Sequence, residues 1–194
     1  MRCVLVLAMA LSACSTAAVD PRQVLSREAI DRSDQPLILA ELPSRAVAAT
    51  LVRVGDRSGV ETWQTAQGQT LSYRRGVLVA TRGLGDDLMS ADVGGTLAAL
   101  RGGPQSDYPR LMTFLDGEGR TVFRAMQCEM GAPSAATVRS FSLDFTTSLT
   151  VEKCYATGLS VENRYWLDPG GEMRRSEQWV SPTLGSLATE LVSR

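Results

Sequence analysis

The sequence predicts a mainly β chain: an antiparallel β-barrel or sandwich-like single domain with one or two short helices. Two patterns carry this prediction. Apolar, aromatic and β-branched residues recur at a period near two in a series of short runs, and tight turns containing Gly and Asp separate those runs. Length is the third observation, because the 194 residues, less a cleaved leader, suffice for one full core and fall short of two comfortable ones.

The chain opens on a leader. Arg2 and the α-amino group precede an apolar run that closes on Leu11-Ser12-Ala13-Cys14, the form of a bacterial lipobox. The run is too short for a permanent membrane span. Residues 1–13 are therefore expected to be removed as a lipoprotein signal peptide. Cys14 becomes the acylated first residue, and residues 14–20 form a small, polar tether to a β-rich periplasmic domain over 21–194. Three acyl chains anchor almost permanently, since each buried methylene contributes about 0.8 kcal/mol. Cys3 is no rival, because no apolar run precedes it. Ser15 rather than Asp follows Cys14, so the expected destination is the outer membrane, lipid-anchored and facing the periplasm.

Beyond the tether, Pro21, Val24, Leu25 and Ile30 suit a brief helix within 21–31. An apolar run at 37–42 ends at Pro43. Strands are expected at 46–54, 60–65, 70–74 and 77–81, punctuated by Asp56-Arg57-Ser58-Gly59, Gln67-Gly68 and Gly76. A short helix at 94–100 should stop at Gly102-Gly103-Pro104. Strands at 111–115 and 120–126 flank Asp116-Gly117-Glu118-Gly119, a hairpin signal. Further strands are expected at 137–145, 149–157, 159–167 and 172–180, the last two joined through Asp168-Pro169-Gly170-Gly171.

Composition excludes more than it assigns. Twenty basic residues against 21 acidic ones leave the chain near neutral, so neither nucleic acid nor an anionic membrane surface is an electrostatic expectation. There is no histidine. That removes Ser-His-Asp and Cys-His catalysis and most zinc chemistry, and no metal or cofactor is expected. With Cys3 cleaved and Cys14 acylated, Cys128 and Cys154 remain, and in an oxidising compartment they are expected to pair. Such a bridge stabilises by about 3.5 kcal/mol on a chain-entropy basis. A metal site is the alternative, but CxxC spacing is lacking.

Two sets of residues have functional chemistry. Asp86, Asp87 and Asp92 lie beside Arg82 in a Gly-bounded loop. A carboxylate pair there could serve glycosidic hydrolysis, yet Asp in such a loop is also ordinary turn and cap chemistry. Adjacent Asp86 and Asp87 would point to different sides of an extended chain, which favours the turn. Trp63, Tyr73, Tyr165, Trp166 and Trp179 fall on predicted strands, as core residues or as flat platforms for sugars.

Three stretches then acquire a joint meaning. Thr62-Trp63-Gln64-Thr65-Ala66-Gln67-Gly68 precedes Gly76-Val77-Leu78-Val79-Ala80-Thr81-Arg82-Gly83-Leu84-Gly85-Asp86-Asp87-Leu88, and Ser176-Glu177-Gln178-Trp179-Val180-Ser181-Pro182 lies near the end. The pattern resembles the YjbF/GfcB family of lipoproteins encoded with exopolysaccharide and group 4 capsule operons. Its hallmarks are a Trp before a turn, Thr-x-Gly-Leu-x-x-Asp-Leu, and Ser-x-Gln followed by apolar residues and a Pro. The resemblance implies a largely β, barrel-like periplasmic domain held at the outer membrane. It also implies an accessory part in polysaccharide export or assembly, beside an outer-membrane β-barrel of the same operon. It supplies no catalytic residues. The Gly- and Ala-rich segment 94–103 departs from the family pattern. The expected surface for glycan or partner is Trp63, Arg82, Asp86 and Asp87. The alternative is an envelope glycan-modifying enzyme that uses a carboxylate pair.

Overall fold

The computed structural model of the protein describes residues 21–103 and 105–193. The leader, Cys14 and the tether lie outside the described residues. The first elements are α1 (Pro21–Val24) and α2 (Arg27–Asp31), where a single helix was expected. The break falls at Ser26, whose backbone is extended and whose hydroxyl accepts a hydrogen bond from the Ala29 amide at 3.2 Å. That hydroxyl caps a new helix start.

Five strands follow: β1 (Leu37–Leu42), β2 (Val47–Arg57), β3 (Val60–Gln64), β4 (Thr70–Arg74) and β5 (Val77–Arg82). The apolar run at 37–42 is a strand covered on both faces, which is why it does not alternate. Ile38, Ala40 and Leu42 enter the main core, whereas Leu39 packs outward against Ile30 of α2 and Val192. Next come β6 (Ser90–Asp92), α3 (Gly94–Gly102), β7 (Gln105–Leu115) and β8 (Thr121–Met130). The chain closes with β9 (Ser134–Ser140), β10 (Leu143–Ala156), β11 (Leu159–Leu167), β12 (Met173–Ser181) and β13 (Gly185–Ser193). No helix of the described residues is long and apolar enough to cross a membrane.

Several boundaries differ from expectation, among them β6 within the expected loop and the end of β8 at Met130 rather than 126. The run 137–145 is not one strand, because the chain reverses at Phe141 (φ 53°) and β9 pairs back on β10 with Ser140 opposite Leu143. No Gly or Asn announces that turn. β7 begins well before residue 111 and passes through Pro109, with a register shift between Gln105 and Tyr108 that includes Asp107 at φ 62°. Such a bulge absorbs an irregular residue within a ladder. Finally, β13 was not anticipated, although it is the strand that joins the two halves of the molecule.

All pairings are antiparallel, in the order β5-β4-β3-β2-β1-β13-β12-β11-β10-β8-β7-β6, with β9 also paired to β10. β1 lies between β2 and β13, so the two meanders join through residues near opposite ends of the chain. The free ends, β5 and β6, nearly close the barrel. The Thr81 amide donates to the Leu88 carbonyl at 2.9 Å, the Leu88 amide to Thr81 Oγ1 at 3.0 Å, and the Met89 amide to the Thr113 carbonyl at 2.8 Å.

Asp87 shapes the closing loop. Its carboxylate accepts from Thr81 Oγ1 at 2.7 Å and from the amides of Gly83 (2.8 Å) and Leu84 (3.1 Å). Arg82 ties the same loop down, donating to the carbonyls of Thr81, Leu88 and Met89. The Thr-x-Gly-Leu-x-x-Asp-Leu stretch is thus the clasp of the barrel.

The Ser-x-Gln stretch has a parallel role. β5 ends the sheet order, and the buried amide of Gln178 on β12 stands in for a neighbouring strand. Gln178 Oε1 accepts from the Leu78 amide at 2.8 Å, and its Nε2 donates to the Gly76 carbonyl and to Ser176 Oγ, both at 2.9 Å. Covering an edge in this way also blocks unwanted strand pairing. The Gln178→Ala variant should lose roughly 2–3 kcal/mol of stability, because it leaves a buried backbone donor and acceptor unmatched. A urea unfolding midpoint unchanged from the parent protein would refute this role.

Candidate functional site

Two places in the barrel concentrate chemistry. The first is internal. Glu152 on β10 is two residues from Cys154 and so shares its inward face. The carboxylate is 0% exposed and receives five donors. Thr96 Oγ1 of α3 (2.6 Å) and Tyr108 Oη of β7 (2.9 Å) reach Oε1, while Arg110 Nη1 (2.7 Å), Asn163 Nδ2 (2.7 Å) and Tyr165 Oη (2.9 Å) reach Oε2. Asn163 Oδ1 in turn accepts from the Trp179 amide at 2.7 Å, extending the network to β12.

Burial pushes the Glu152 carboxyl up, but the Arg110 guanidinium and the hydrogen bonds from Thr96, Asn163 and Tyr108 outweigh it and hold the carboxyl below the ordinary carboxylate range. Burial and the adjacent Glu152 charge push both the Tyr108 and Tyr165 phenols well above theirs, so both stay protonated as donors. The helix over 94–102 packs against β7 and β8 beside this cluster. Thr96 donates into the cluster, and a Cβ at Gly95 would come within 2.6 Å of the Tyr108 ring.

The Cys128–Cys154 disulfide lies beside this cluster, linking residues paired directly across β8 and β10. Cys128, Glu152 and Cys154 have donor atoms within 4.8 Å of one another, but the sulfurs are bonded together and the carboxylate is saturated, so the group does not fit a metal ion. The same saturation leaves Glu152 no free lone pair for acid-base work.

The second place is an open cleft of about 620 Å³ between the β3–β4 hairpin and the turn that leads into β12. Trp63 and Tyr73, both buried, form part of its wall, and Arg53, Glu61, Arg75 and Arg174 bring charge to it. Its shape depends on Gly76. This residue has φ 79°, and a Cβ there would meet Met173 Cβ at 2.5 Å, so only glycine lets the β4–β5 turn rest on β12. Arg174 also lies over the Phe145 ring, 4.5 Å from its centroid.

The structure separates the surface expected from sequence. Trp63 lines the cleft, whereas Arg82, Asp86 and Asp87 lie outside it, in the clasp. Asp92 caps the entry to α3 by accepting from the Gly94 amide at 3.0 Å. Of the other aromatics, Tyr165 joins the Glu152 cluster and Trp179 packs edge-on against Phe114, centroid to centroid 6.1 Å. Trp166 lies near the Arg175 guanidinium, 5.6 Å from its ring centroid. Sequence reasoning missed Glu152 and Arg110. The signal was available, because each falls in phase with buried residues on its own strand: Cys154 for Glu152, and Tyr108 and Met112 for Arg110.

The family model for YjbF, described as group 4 capsule polysaccharide lipoprotein gfcB, matches residues 7–192. The chain belongs to this family. Among solved structures, it is similar to the hypothetical lipoprotein YmcC from Escherichia coli (K12), with 13% identity, a TM-score of 0.75, and coverage of 88% of this chain and 89% of that one. At that identity the likeness defines the fold alone. A putative exported protein with a YmcC-like fold from Bacteroides fragilis NCTC 9343 aligns at 11% identity and a TM-score of 0.37, over 81% of this chain and 92% of that one. Comparison with curated protein sequences gives no match. The expected family and the mainly β, barrel-like fold both stand.

Glu152→Gln should destabilise the protein by roughly 3–5 kcal/mol, because it strands the Arg110 charge in the interior. The pH dependence follows from the depressed carboxyl. The folded state holds this proton less tightly than the unfolded state, whose carboxyl titrates near the ordinary 4.5. The stabilisation is therefore fully present above that value and is lost as pH falls through the lower folded value. Urea midpoints measured from pH 7 down to pH 3 should fall more steeply for the parent protein than for Glu152→Gln.

Proposed function

We propose that this protein is a lipid-anchored, non-enzymatic accessory in the export or assembly of a surface polysaccharide, acting from the periplasmic face of the outer membrane. The observation that carries this reading is the family match over residues 7–192, whose description names a capsule polysaccharide lipoprotein. The lipobox at Cys14 supports the anchor. Residues 14 to 21 span at most about 25 Å when fully extended. Arg22, directly after the tether, donates to Glu41 Oε2 at 3.3 Å and to Glu190 Oε2 at 2.9 Å, and Glu190 lines the cleft. A cleft so near the anchor would work close to the membrane. A tether of this length also raises its effective concentration beside an outer-membrane β-barrel partner.

A carboxylate-pair enzyme finds less support. Asp87 is engaged by three hydrogen bonds in the clasp, and Glu152 is saturated inside the barrel. Asp86 remains as the test of that reading. Deleting the gene should reduce exported polysaccharide while sugar precursors are still made. Cys14→Ala should mislocalise the protein and lower export, as read by membrane fractionation and polymer assay. Asp86→Asn should leave export intact. Glycan cleavage by the purified protein, abolished in Asp86→Asn, would replace the accessory role with an enzymatic one.

A further inference from the structure

Apolar side chains gather on the outward face of the β7–β8 hairpin. Along both strands the residues alternate: Met112, Phe114 and Met126 point into the core, while Leu111, Leu115 and Phe123 point to solvent, with Phe123 72% exposed. The ladder sets Leu111 opposite Ala125, Thr113 opposite Phe123 and Leu115 opposite Thr121, so the three apolar side chains share one face. Val122, at the rim, is exposed as well. β6 pairs with β7 only from Leu111 to Thr113, and β10 with β8 only from Gln127 to Met130. Beyond those points β7 and β8 pair only with each other, so among the described residues the end of the hairpin has no flanking strand. An apolar edge of this kind marks a surface that something else covers.

Connectivity puts this hairpin at the end of the barrel where the tether joins. Antiparallel pairing makes the turns alternate between two ends, and the β7–β8 turn shares its end with the β1–β2 connection and the clasp. Two contacts tie that end together: Arg45 Nη1 donates to the Leu84 carbonyl at 2.8 Å, and the Met89 amide to the Thr113 carbonyl at 2.8 Å. Arg22 is held to Glu41, the last residue but one of β1. Farther along, Arg27 donates to the Val192 carbonyl and Ser193 Oγ to the Gln35 carbonyl, toward the other end. Residues 21–35 therefore run away from the clasp, and Pro21 lies on the clasp side. With at most about 25 Å of extended chain between Pro21 and Cys14, an acylated Cys14 keeps a bilayer within reach of that end.

We propose that the outward face of this hairpin rests on the lipid bilayer that holds the anchor, with Leu111, Leu115 and Phe123 set among the headgroups and upper acyl chains. This rests on the lipid anchor proposed above and adds to it the surface that the domain turns to the membrane. The charges suit such a surface. Those of the hairpin, Asp116, Glu118, Arg120 and Arg124, cancel, and Arg120 pairs with Asp116 at 2.8 Å and with Glu118 at 3.2 Å, so anionic headgroups are not repelled. The contact is shallow, because the open backbone edge of β8 before Gln127 needs water or phosphate oxygens as partners. The anchor favours a bilayer over a protein, since it holds the one at high effective concentration and does nothing to supply the other. In this pose the β4–β5 and β11–β12 turns lie at the far end, so the cleft opens toward the periplasm one barrel length from the membrane.

The test places the mature lipoprotein in vesicles of phosphatidylethanolamine and phosphatidylglycerol. An environment-sensitive fluorophore is attached at Thr121→Cys on the hairpin face or, at the other end of the barrel, at Arg57→Cys beside the β2–β3 turn; both positions are exposed. A quencher carried on the lipids near the headgroup should cut the Thr121 signal about twofold and leave the Arg57 signal unchanged. Leu115→Ser with Phe123→Ser should bring quenching at Thr121 down to the Arg57 level. Melting temperature and retention on vesicles should hold in that variant, because exposed side chains contribute little to the fold and the acyl chains still anchor. Equal quenching at both positions, or none at Thr121 with the protein retained on vesicles, would overturn the hairpin contact and leave the anchor standing. Protein that floats free of the vesicles would overturn the anchor and the proposal together. An unquenched Thr121 label combined with crosslinking from Phe123 to one protein in intact cells would put a protein partner in the bilayer's place.

Discussion

One buried carboxylate organises half of this barrel. Glu152 gathers Thr96 from α3, Tyr108 and Arg110 from β7, and Asn163 and Tyr165 from β11, all around one carboxylate. Taking an ion pair out of water is expensive, and the attraction between the two charges seldom repays it alone. Here the remaining lone pairs of the carboxylate are filled by hydroxyls and an amide, whereas Arg110 is engaged through Nη1 and its buried Nε and Nη2 have no hydrogen-bond partner among the described residues. Such a cluster specifies geometry more than it adds stability. A slip of one residue in β10 would turn Glu152 and Cys154 outward together. The neighbouring disulfide fixes that same register covalently.

The other half of the molecule is held by side chains that bond backbone groups. β5 ends the sheet order, and the Gln178 amide supplies the pairing that a further strand would provide. Thr81 and Asp87 then bend the chain toward β6 and nearly close the barrel. These residues fall in the stretches on which the sequence resemblance to the family rests. Their polarity reads as chemistry in a bare sequence, but here it completes the backbone hydrogen bonding of a sheet that would otherwise have open edges. The cleft beside this seam is a product of the same arrangement, because Gly76 lets the β4–β5 turn rest directly on Met173.

Local chemistry in the sequence determined much of this protein. Alternation and turn residues marked β3, β4, β5 and the β11–β12 hairpin, because short-range propensity and long-range pairing agree there. The missing histidines and the spare cysteines narrowed the chemistry and led to the Cys128–Cys154 pair. Asp87 was legible as a turn residue for the same local reason.

Tertiary structure decided the rest. β1 and β13 become neighbours only because the barrel brings together segments far apart in sequence, and nothing local to 185–193 records that pairing. The turn at Phe141 lacks a glycine or asparagine, so the tertiary packing of β9 on β10 imposes it against local preference. Arg110 and Glu152 look like surface charges until the phase of their strands is known, since the sign of a side chain does not reveal which face it occupies. The cleft joins Trp63 and Tyr73 from one meander to Arg174 from the other. No property of either segment could set that distance, because it is fixed by how far the two halves of the sheet curl toward each other.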